Sequence, residues 1–183
     1  MIPDPPLPPE CSRVVATSAQ IATRVAELGA RLAHDGGGDT VRLVTVLRGG
    51  VFFLADLCRA MECDVRLDFM AVAQYVPGQG GAVRVTKDLD DDIEGARVVL
   101  VEDIVDTGLT VNYVLGLLNA RGAASVEVCA LFDKPARRIA DVPLAYRGFE
   151  LSDRFLVGYG LDLGGRYRNL PYVAELRDEA VYG

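Results

Sequence analysis

Two adjacent carboxylates and a glycine-containing turn form the part of the sequence best suited to chemistry. An apolar run at 96–101 ends in Glu102 and Asp103, and the turn 106–110 follows with Gly108 at its centre. Free N–H groups at a helix start after this turn, together with threonine hydroxyls, favour a phosphate. Carboxylates beside it suit ribose hydroxyls, or a Mg²⁺ ion that holds a diphosphate. The segment therefore predicts a phosphorylated-sugar site; the structural alternative is an acidic strand end and a capped helix.

The elements around this segment alternate between strands and helices. Three apolar runs predict buried strands: 41–47, 96–101 and 125–131. Apolar residues at helical spacing predict one helix from Ser18 and another after Gly50. Such alternation implies an α/β fold with a parallel sheet, whose ligands bind beyond the carboxyl ends of the strands. We therefore expect three loops to form one site: 48–50, 102–110 and the segment around Lys134.

Length, charge and cysteine content exclude several classes of protein. The chain has 183 residues, which predicts one domain at 12–183 behind a flexible proline-rich arm at 1–11. A net charge of −7 argues against a nucleic-acid-binding surface. Four cysteines without a Cys-x-x-Cys pair and a single histidine, His34, argue against zinc. The absence of a signal-peptide pattern or a membrane-length apolar run predicts a cytoplasmic protein without a membrane partner.

The segment 99–110 (VLVEDIVDTGLT) resembles the phosphoribosyl-diphosphate (PRPP) signature of type I phosphoribosyltransferases. Other stretches are similar to the hypoxanthine-guanine branch of that family, in the family's order over residues 12 to 178: 47–50 (LRGG), 68–75 (DFMAVAQY), 133–135 (DKP), 155–162 (FLVGYGLD) and 166–170 (RYRNL). The resemblance implies a central, mostly parallel sheet flanked by helices, with a small hood and a mobile flap. It also implies Mg²⁺-dependent transfer of the 5-phosphoribosyl group from PRPP to hypoxanthine or guanine, which gives IMP or GMP and diphosphate.

The resemblance assigns a role to individual residues on the PRPP side. Glu102 and Asp103 hold the ribose hydroxyls, directly or through Mg²⁺, and Asp106 is the general base near N7 of the purine. The 5′-phosphate lies against Asp106 and the residues that follow it: Thr107, Gly108, Leu109 and Thr110. The diphosphate is contacted by Arg48, Gly49 and Arg168, and the expected metal ligands are Glu102, Asp103 and Asp162.

On the purine side, the resemblance assigns Lys134 as the hydrogen-bond donor to O6, which would disfavour adenine. Phe155 stacks on the ring, Leu156 offers backbone groups to its edge, and Asp162 holds Mg²⁺ or water nearby. Without the resemblance, Lys134 reads as a lysine that reaches water from an apolar strand end, and Phe155 reads as a core aromatic.

The sequence departs from the family pattern in two places. Ala73 and Gln74 precede Tyr75 where the family's flap has a Ser-Tyr pair, so closure is expected to use Tyr75 and backbone groups. The stretch 163–165 (LGG) replaces an aromatic and acidic stretch, which leaves the purine preference open. The peptide bond before Arg48 can be cis in the family.

The sequence is also compatible with two other functions. An RNA-binding regulator on the same fold needs a basic face, which the acidic charge disfavours. The second alternative is a phosphoribosyltransferase for another base. Lys134, Phe155 and Asp162 favour a 6-oxopurine, but the sequence does not distinguish hypoxanthine, guanine and xanthine as the substrate. The family also implies a homodimer or homotetramer.

Overall fold

A computed structural model describes residues 4–73 and 84–182. Its elements are, in chain order, β1 (Cys11–Ala16), α1 (Ser18–Asp35), β2 (Val41–Val46), α2 (Val51–Arg59), β3 (Val65–Ala73), β4 (Arg84–Lys87), β5 (Arg97–Val105), α3 (Leu109–Ala120), β6 (Ser125–Asp133), a 3-10 turn (Pro135–Arg137), β7 (Tyr146–Glu150), β8 (Leu156–Val157), β9 (Val173–Leu176) and α4 (Asp178–Tyr182). The predicted flap residue Tyr75 lies outside the described residues.

The main sheet has six strands in the order β4-β3-β2-β5-β6-β7. Strands β3, β2, β5, β6 and β7 run parallel, and β4 runs antiparallel to β3 at one edge. The central strand β5 is buried on both faces, which explains its unbroken apolar run. The predicted fold, a mostly parallel sheet flanked by helices, is confirmed.

Alternate side chains of β5 face two different helical layers. Val99 packs in the cluster that contains the buried faces of α1 and α2. Val98 and Leu100 pack in the opposite cluster, with α3. Successive side chains of a strand point to opposite faces, so one apolar strand supplies both cores. Because β5 is packed on both faces, the carboxyl end of the strand, which carries Glu102 and Asp103, is held in a fixed position relative to the helices.

Helix α1 begins as its sequence predicts. Thr17 caps the helix by accepting a hydrogen bond from the backbone N–H of Gln20 at 3.2 Å, and the Gln20 side chain accepts one from the backbone N–H of Thr17 at 2.9 Å. The helix buries four residues at helical spacing: Ile21, Val25, Leu28 and Leu32.

Across residues 4–73 and 84–182, the structure contains no helix with the length and apolarity to cross a membrane.

A second, three-stranded antiparallel sheet in the order β1-β9-β8 forms the hood over the main sheet. The preceding residues pack on it: the Pro6 carbonyl accepts a hydrogen bond from the Tyr172 hydroxyl at 3.1 Å, and the Pro9 carbonyl accepts one from Arg177 Nε at 3.1 Å. Residues 1–11 were expected to form a flexible arm, whereas residues 4–10 make these contacts and Cys11 begins β1. The proline-rich composition did not reveal this because the partners lie near the other end of the chain.

Candidate active site

A cavity of about 860 Å³ lies at the carboxyl ends of β2, β5 and β6, below the hood. Residues from all three expected loops line it, and so do hood residues. The predicted site residues in its wall are Arg48, Gly49, Asp103, Asp106, Lys134, Phe155, Leu156, Asp162 and Arg168. Glu102 and the turn residues Thr107, Gly108, Leu109 and Thr110 do not line the cavity but adjoin Asp103 and Asp106 in the chain. This position agrees with the general rule for ligand sites in α/β sheets.

The strand before the acidic pair was expected to end at Val101, whereas β5 continues to Val105, so Glu102 and Asp103 lie within the strand near its carboxyl end. Glu102 is buried, and its Oε1 has no hydrogen-bond partner within 4–73 and 84–182. Burial, and then the charge of Asp103, hold the pKa of Glu102 well above its usual range. Burial also raises the pKa of Asp103 to about 6, although its Oδ1 accepts a hydrogen bond from the N–H of Ile104 at 2.7 Å. An unpartnered buried carboxylate beside a second one is a donor set that suits a hard divalent cation such as Mg²⁺.

The loop at the end of β2 passes directly against Asp103. A Cβ atom on Gly49 would lie 1.8 Å from Asp103 Oδ2, so any side chain there would displace the carboxylate. A Cβ on Gly160, from the hood side, would lie 2.2 Å from the Gly49 carbonyl oxygen. The peptide bond between Leu47 and Arg48 is cis, as the resemblance allowed. Glycine at 49 therefore lets the loop backbone approach the acidic strand end.

The turn that leads into α3 has a glycine at the N-cap position, which has no side chain to cap the helix. Gly108 adopts a left-handed conformation (φ 79°) there, and the Leu109 N–H donates a long hydrogen bond to Thr107 Oγ1 at 3.4 Å. A Cβ at Gly108 would also lie 2.8 Å from the Ala140 carbonyl oxygen. The Thr107 carbonyl accepts hydrogen bonds from the N–H groups of Ile139 and Ala140 at 2.9 and 3.0 Å, which fix the turn. Amides at a helix start whose N-cap residue is glycine are suited to an anion.

The purine side of the predicted site is formed by Lys134 and Phe155. Lys134 is buried, and its ammonium donates a hydrogen bond to the main-chain carbonyl of Arg154 instead of reaching bulk water. Burial lowers its pKa, while the nearby Asp106 acts to raise it. Phe155 is 41% exposed on the cavity wall and is not a core aromatic. These positions contradict both structural alternatives that the sequence had left open.

Asp162 and Arg168 are paired with each other. Arg168 Nη2 lies 2.6 Å from Asp162 Oδ1, and Arg168 Nη1 donates to the Gly160 carbonyl. Asp162 Oδ2 accepts a hydrogen bond from the N–H of Gly165 at 2.6 Å, and Gly165 has a positive φ of 85°. The glycines at 164 and 165, a departure from the family pattern, thus shape the loop that holds Asp162.

The predicted metal ligands do not form one cluster. Among the residues that the structure describes, no three acidic, histidine or cysteine side chains are grouped closely enough to hold a metal ion. Glu102 and Asp103 are adjacent, whereas Asp162 is engaged by Arg168 and Gly165. Any Mg²⁺ here would need ligands from the substrate as well as from the protein.

Sequence reasoning missed the charged residues that connect these parts. Arg137 Nε lies 2.7 Å from Asp106 Oδ1, and Arg137 Nη1 donates to Asp153 Oδ1 at 3.1 Å. Arg138 donates to the main-chain oxygen of Asp106 at 3.2 Å and to the buried Asp133 carboxylate. The only signal in the sequence was a pair of arginines three and four residues after Lys134.

Comparison with known proteins agrees with this geometry. A family model described as "Phosphoribosyl transferase domain" matches residues 15–163. The hypoxanthine phosphoribosyltransferase of Salmonella typhimurium is 44% identical over 168 residues, which cover 89% of this chain and 94% of the relative. The hypoxanthine-guanine phosphoribosyltransferase of Mycobacterium avium is 43% identical over 183 residues, covering 96% and 90%. A crystal structure of a hypoxanthine phosphoribosyltransferase from Staphylococcus aureus matches with a TM-score of 0.90 at 39% identity, covering 95% of both chains.

The fold, the site and these matches define a phosphoribosyltransferase, and the chain belongs to that family. Within the family, its relatives are the hypoxanthine and hypoxanthine-guanine phosphoribosyltransferases. The family and branch that the sequence motifs resembled are confirmed.

Proposed function

We propose that this enzyme transfers the 5-phosphoribosyl group from PRPP to a 6-oxopurine, hypoxanthine or guanine, in purine salvage. A bond forms between the purine imidazole nitrogen and C1 of the ribose, and the bond between C1 and the diphosphate breaks. The purine loses a proton, which a base must accept. The observation that carries the proposal is that one cavity joins the acidic strand end, the diphosphate loop and the Lys134–Phe155 pair.

The PRPP half of the proposal rests on three loops. The amides after Gly108 bind the 5′-phosphate, and Glu102 with Asp103 binds the ribose hydroxyls. Arg168 and the loop at Arg48 and Gly49 hold the diphosphate, for which a planar guanidinium is well suited. Positioning of both substrates and stabilisation of the leaving diphosphate are the main demands of this reaction.

Mg²⁺ is the cofactor that fits the acidic strand end. Its ligands would be Glu102 and Asp103, supported by the unpartnered Glu102 oxygen and the raised pKa of Asp103. When bound, the ion would neutralise charge on the carboxylates and on the diphosphate leaving group. A contribution from Asp162 to a second ion would require an intervening water or an exchange of its present contacts.

The purine half rests on Lys134, Phe155 and Asp106. Lys134 donates to O6, Phe155 stacks on the ring, and Asp106 accepts the proton at the imidazole side. Leu156 presents backbone groups to the purine edge. A donor that faces O6 discriminates against adenine, whose amino group is itself a donor there.

The assembly and the cellular location belong to the same proposal. All four cysteines are free thiols, which supports a reducing, cytoplasmic location. A homodimer or homotetramer is expected from the family resemblance, and sedimentation measures this oligomeric state. No nucleic-acid or membrane partner is expected.

The test is a turnover assay with PRPP, Mg²⁺ and each separate base. Hypoxanthine or guanine should give IMP or GMP and one equivalent of diphosphate, while adenine and uracil should react at least about 10²-fold more slowly. Retention of RNA at moderate salt without base turnover would instead support the regulator. Preferred turnover of a different base would show that the enzyme is a phosphoribosyltransferase with another substrate.

A further inference from the structure

Arg137 contacts the side chain of the proposed base and also the loop that precedes the stacking residue. Its Nε lies 2.7 Å from Asp106 Oδ1, and its Nη1 donates to Asp153 Oδ1 at 3.1 Å. Asp106 follows β5, whereas Asp153 lies two residues before Phe155. All three charged residues line the cavity. One guanidinium thus connects the turn after β5 to the loop that precedes the proposed stacking residue.

The two oxygens of the Asp106 carboxylate have different surroundings. Oδ1 is fully covered, and its contact with Arg137 is a charge contact without hydrogen-bond alignment. The Asp106 side chain as a whole is 41% exposed, so its exposed carboxylate oxygen is Oδ2. Arg138 meanwhile holds the main-chain oxygen of the same residue. Two consecutive arginines therefore contact the main-chain oxygen and one side-chain oxygen of Asp106, and one oxygen remains open to a ligand.

We infer that Arg137 is a positioning residue, which holds Asp106 Oδ1 so that Oδ2 faces the purine. The inference rests on the proposed role of Asp106 as proton acceptor. Because an ionised carboxylate only accepts hydrogen bonds, a cation on Oδ1 leaves the second oxygen as the acceptor for the purine proton. The link to Asp153 restricts Arg137 to this direction and ties the carboxylate to the loop that carries Phe155.

An ordinary surface ion pair is the alternative. Arg137 is 45% exposed and Asp153 is 55% exposed, and pairs of that kind contribute little to stability. The two explanations differ in what they predict. A surface pair affects neither turnover nor stability appreciably, while a positioning contact affects turnover alone.

The experiment compares R137Q, R137K and a matched control, R24Q, in the hypoxanthine assay. Arg24 is 42% exposed and pairs with Glu27 at 2.7 Å in α1, outside the cavity wall, so R24Q removes an equivalent charge. R137Q should lower kcat about 10- to 100-fold, the cost of a misplaced reacting group. Its KM for PRPP should stay within about twofold and its Tm within about 3 °C of the parent. R137K should recover part of the kcat, and R24Q should behave as the parent.

The double variant D106N/R137Q separates positioning through Asp106 from any independent effect. If Arg137 acts by holding the carboxylate, R137Q should cost nothing further once Asp106 is an asparagine. A kcat of R137Q equal to that of the parent, or full multiplication of the two losses, would overturn the inference while the proposed function stands. A parent protein that transfers no phosphoribosyl group would overturn the proposed function itself, and the inference with it.

Discussion

The ammonium of Lys134 donates its hydrogen bond to the main-chain carbonyl of Arg154, the residue directly before Phe155. One contact between the end of β6 and the hood therefore fixes the relative position of two groups: the proposed donor to the purine and the proposed stacking ring. Lys134 is held at its backbone too, because its N–H donates to the Val105 carbonyl at 3.0 Å. The hydrogen-bonding and stacking parts of the proposed purine site are coupled through this lysine.

Replacement of Lys134 by Met should weaken hypoxanthine and guanine binding by about 1.5–3 kcal/mol, the usual value for a hydrogen bond to a charged group. The affinity for PRPP should barely change, and discrimination against adenine should weaken because the donor is lost. Steady-state kinetics with the three bases at saturating PRPP measure both effects. An unchanged hypoxanthine-to-adenine ratio of kcat/KM would place purine selection elsewhere, in the backbone around Leu156.

Replacement of Asp106 by Asn should lower turnover by about 10²-fold or more, because an amide does not accept the purine proton. The shape of the side chain is retained, so PRPP binding and Tm should remain close to those of the parent. Single-turnover kinetics with a calorimetric PRPP titration separate the two effects. Turnover near the parental value would exclude Asp106 as the base.

Replacement of Gly49 by Ala should disrupt the diphosphate loop, because the new Cβ would lie 1.8 Å from Asp103 Oδ2. We expect PRPP affinity to fall at least about tenfold as the loop or the carboxylate moves. Gly116→Ala is the matched control: Gly116 lies in α3, its Cβ would meet nothing within 4 Å, and alanine favours a helix. Equal PRPP affinities for both variants would show that the close approach at Gly49 is unimportant.

Removal of Mg²⁺ should abolish activity, since the buried carboxylates and the diphosphate would then repel each other. Chelator followed by stepwise addition of Mg²⁺ should restore full turnover, and PRPP titrations with and without Mg²⁺ should differ strongly in affinity. Undiminished turnover in excess chelator would contradict the assignment of Glu102 and Asp103 to a metal.

The parts of the site that were predictable from the sequence are local in the chain. Glu102, Asp103 and the turn at Gly108 lie within one short stretch of the chain, from the carboxyl end of β5 to the start of α3, where residue type and spacing report directly on geometry. The contacts of Arg137 were not predictable in this way, because Asp106 and Asp153 come from different loops. The position of Arg137 depends on how the 3-10 turn packs between those loops.

The hood also depends on contacts between segments that are far apart in the sequence, which local patterns do not predict. Strand β1 (Cys11–Ala16) was not predicted: Cys11 was placed in the arm, and residues 12–16 were placed in the domain without an assigned element. A short strand with a mixed pattern is recognised only through its partner. That partner, β9, is far away in sequence. By contrast, the helix from Ser18 was predicted correctly, since its apolar residues repeat at helical spacing within one continuous stretch of the chain.

The pairing of β1 with β9 also sets the order in which the molecule can assemble. The Ser12 hydroxyl bonds to the carbonyl of Glu175, 163 residues further along the chain. A chain made from its N-terminus can complete the main sheet, and with it the acidic strand end, while β1 still lacks its partner. Strand β8, which carries Leu156, also pairs with β9 and therefore lacks its partner until β9 has been synthesised. On the ribosome, the acidic strand end and the turn at Gly108 can thus form early, and the hood that carries Leu156 and Arg168 closes last.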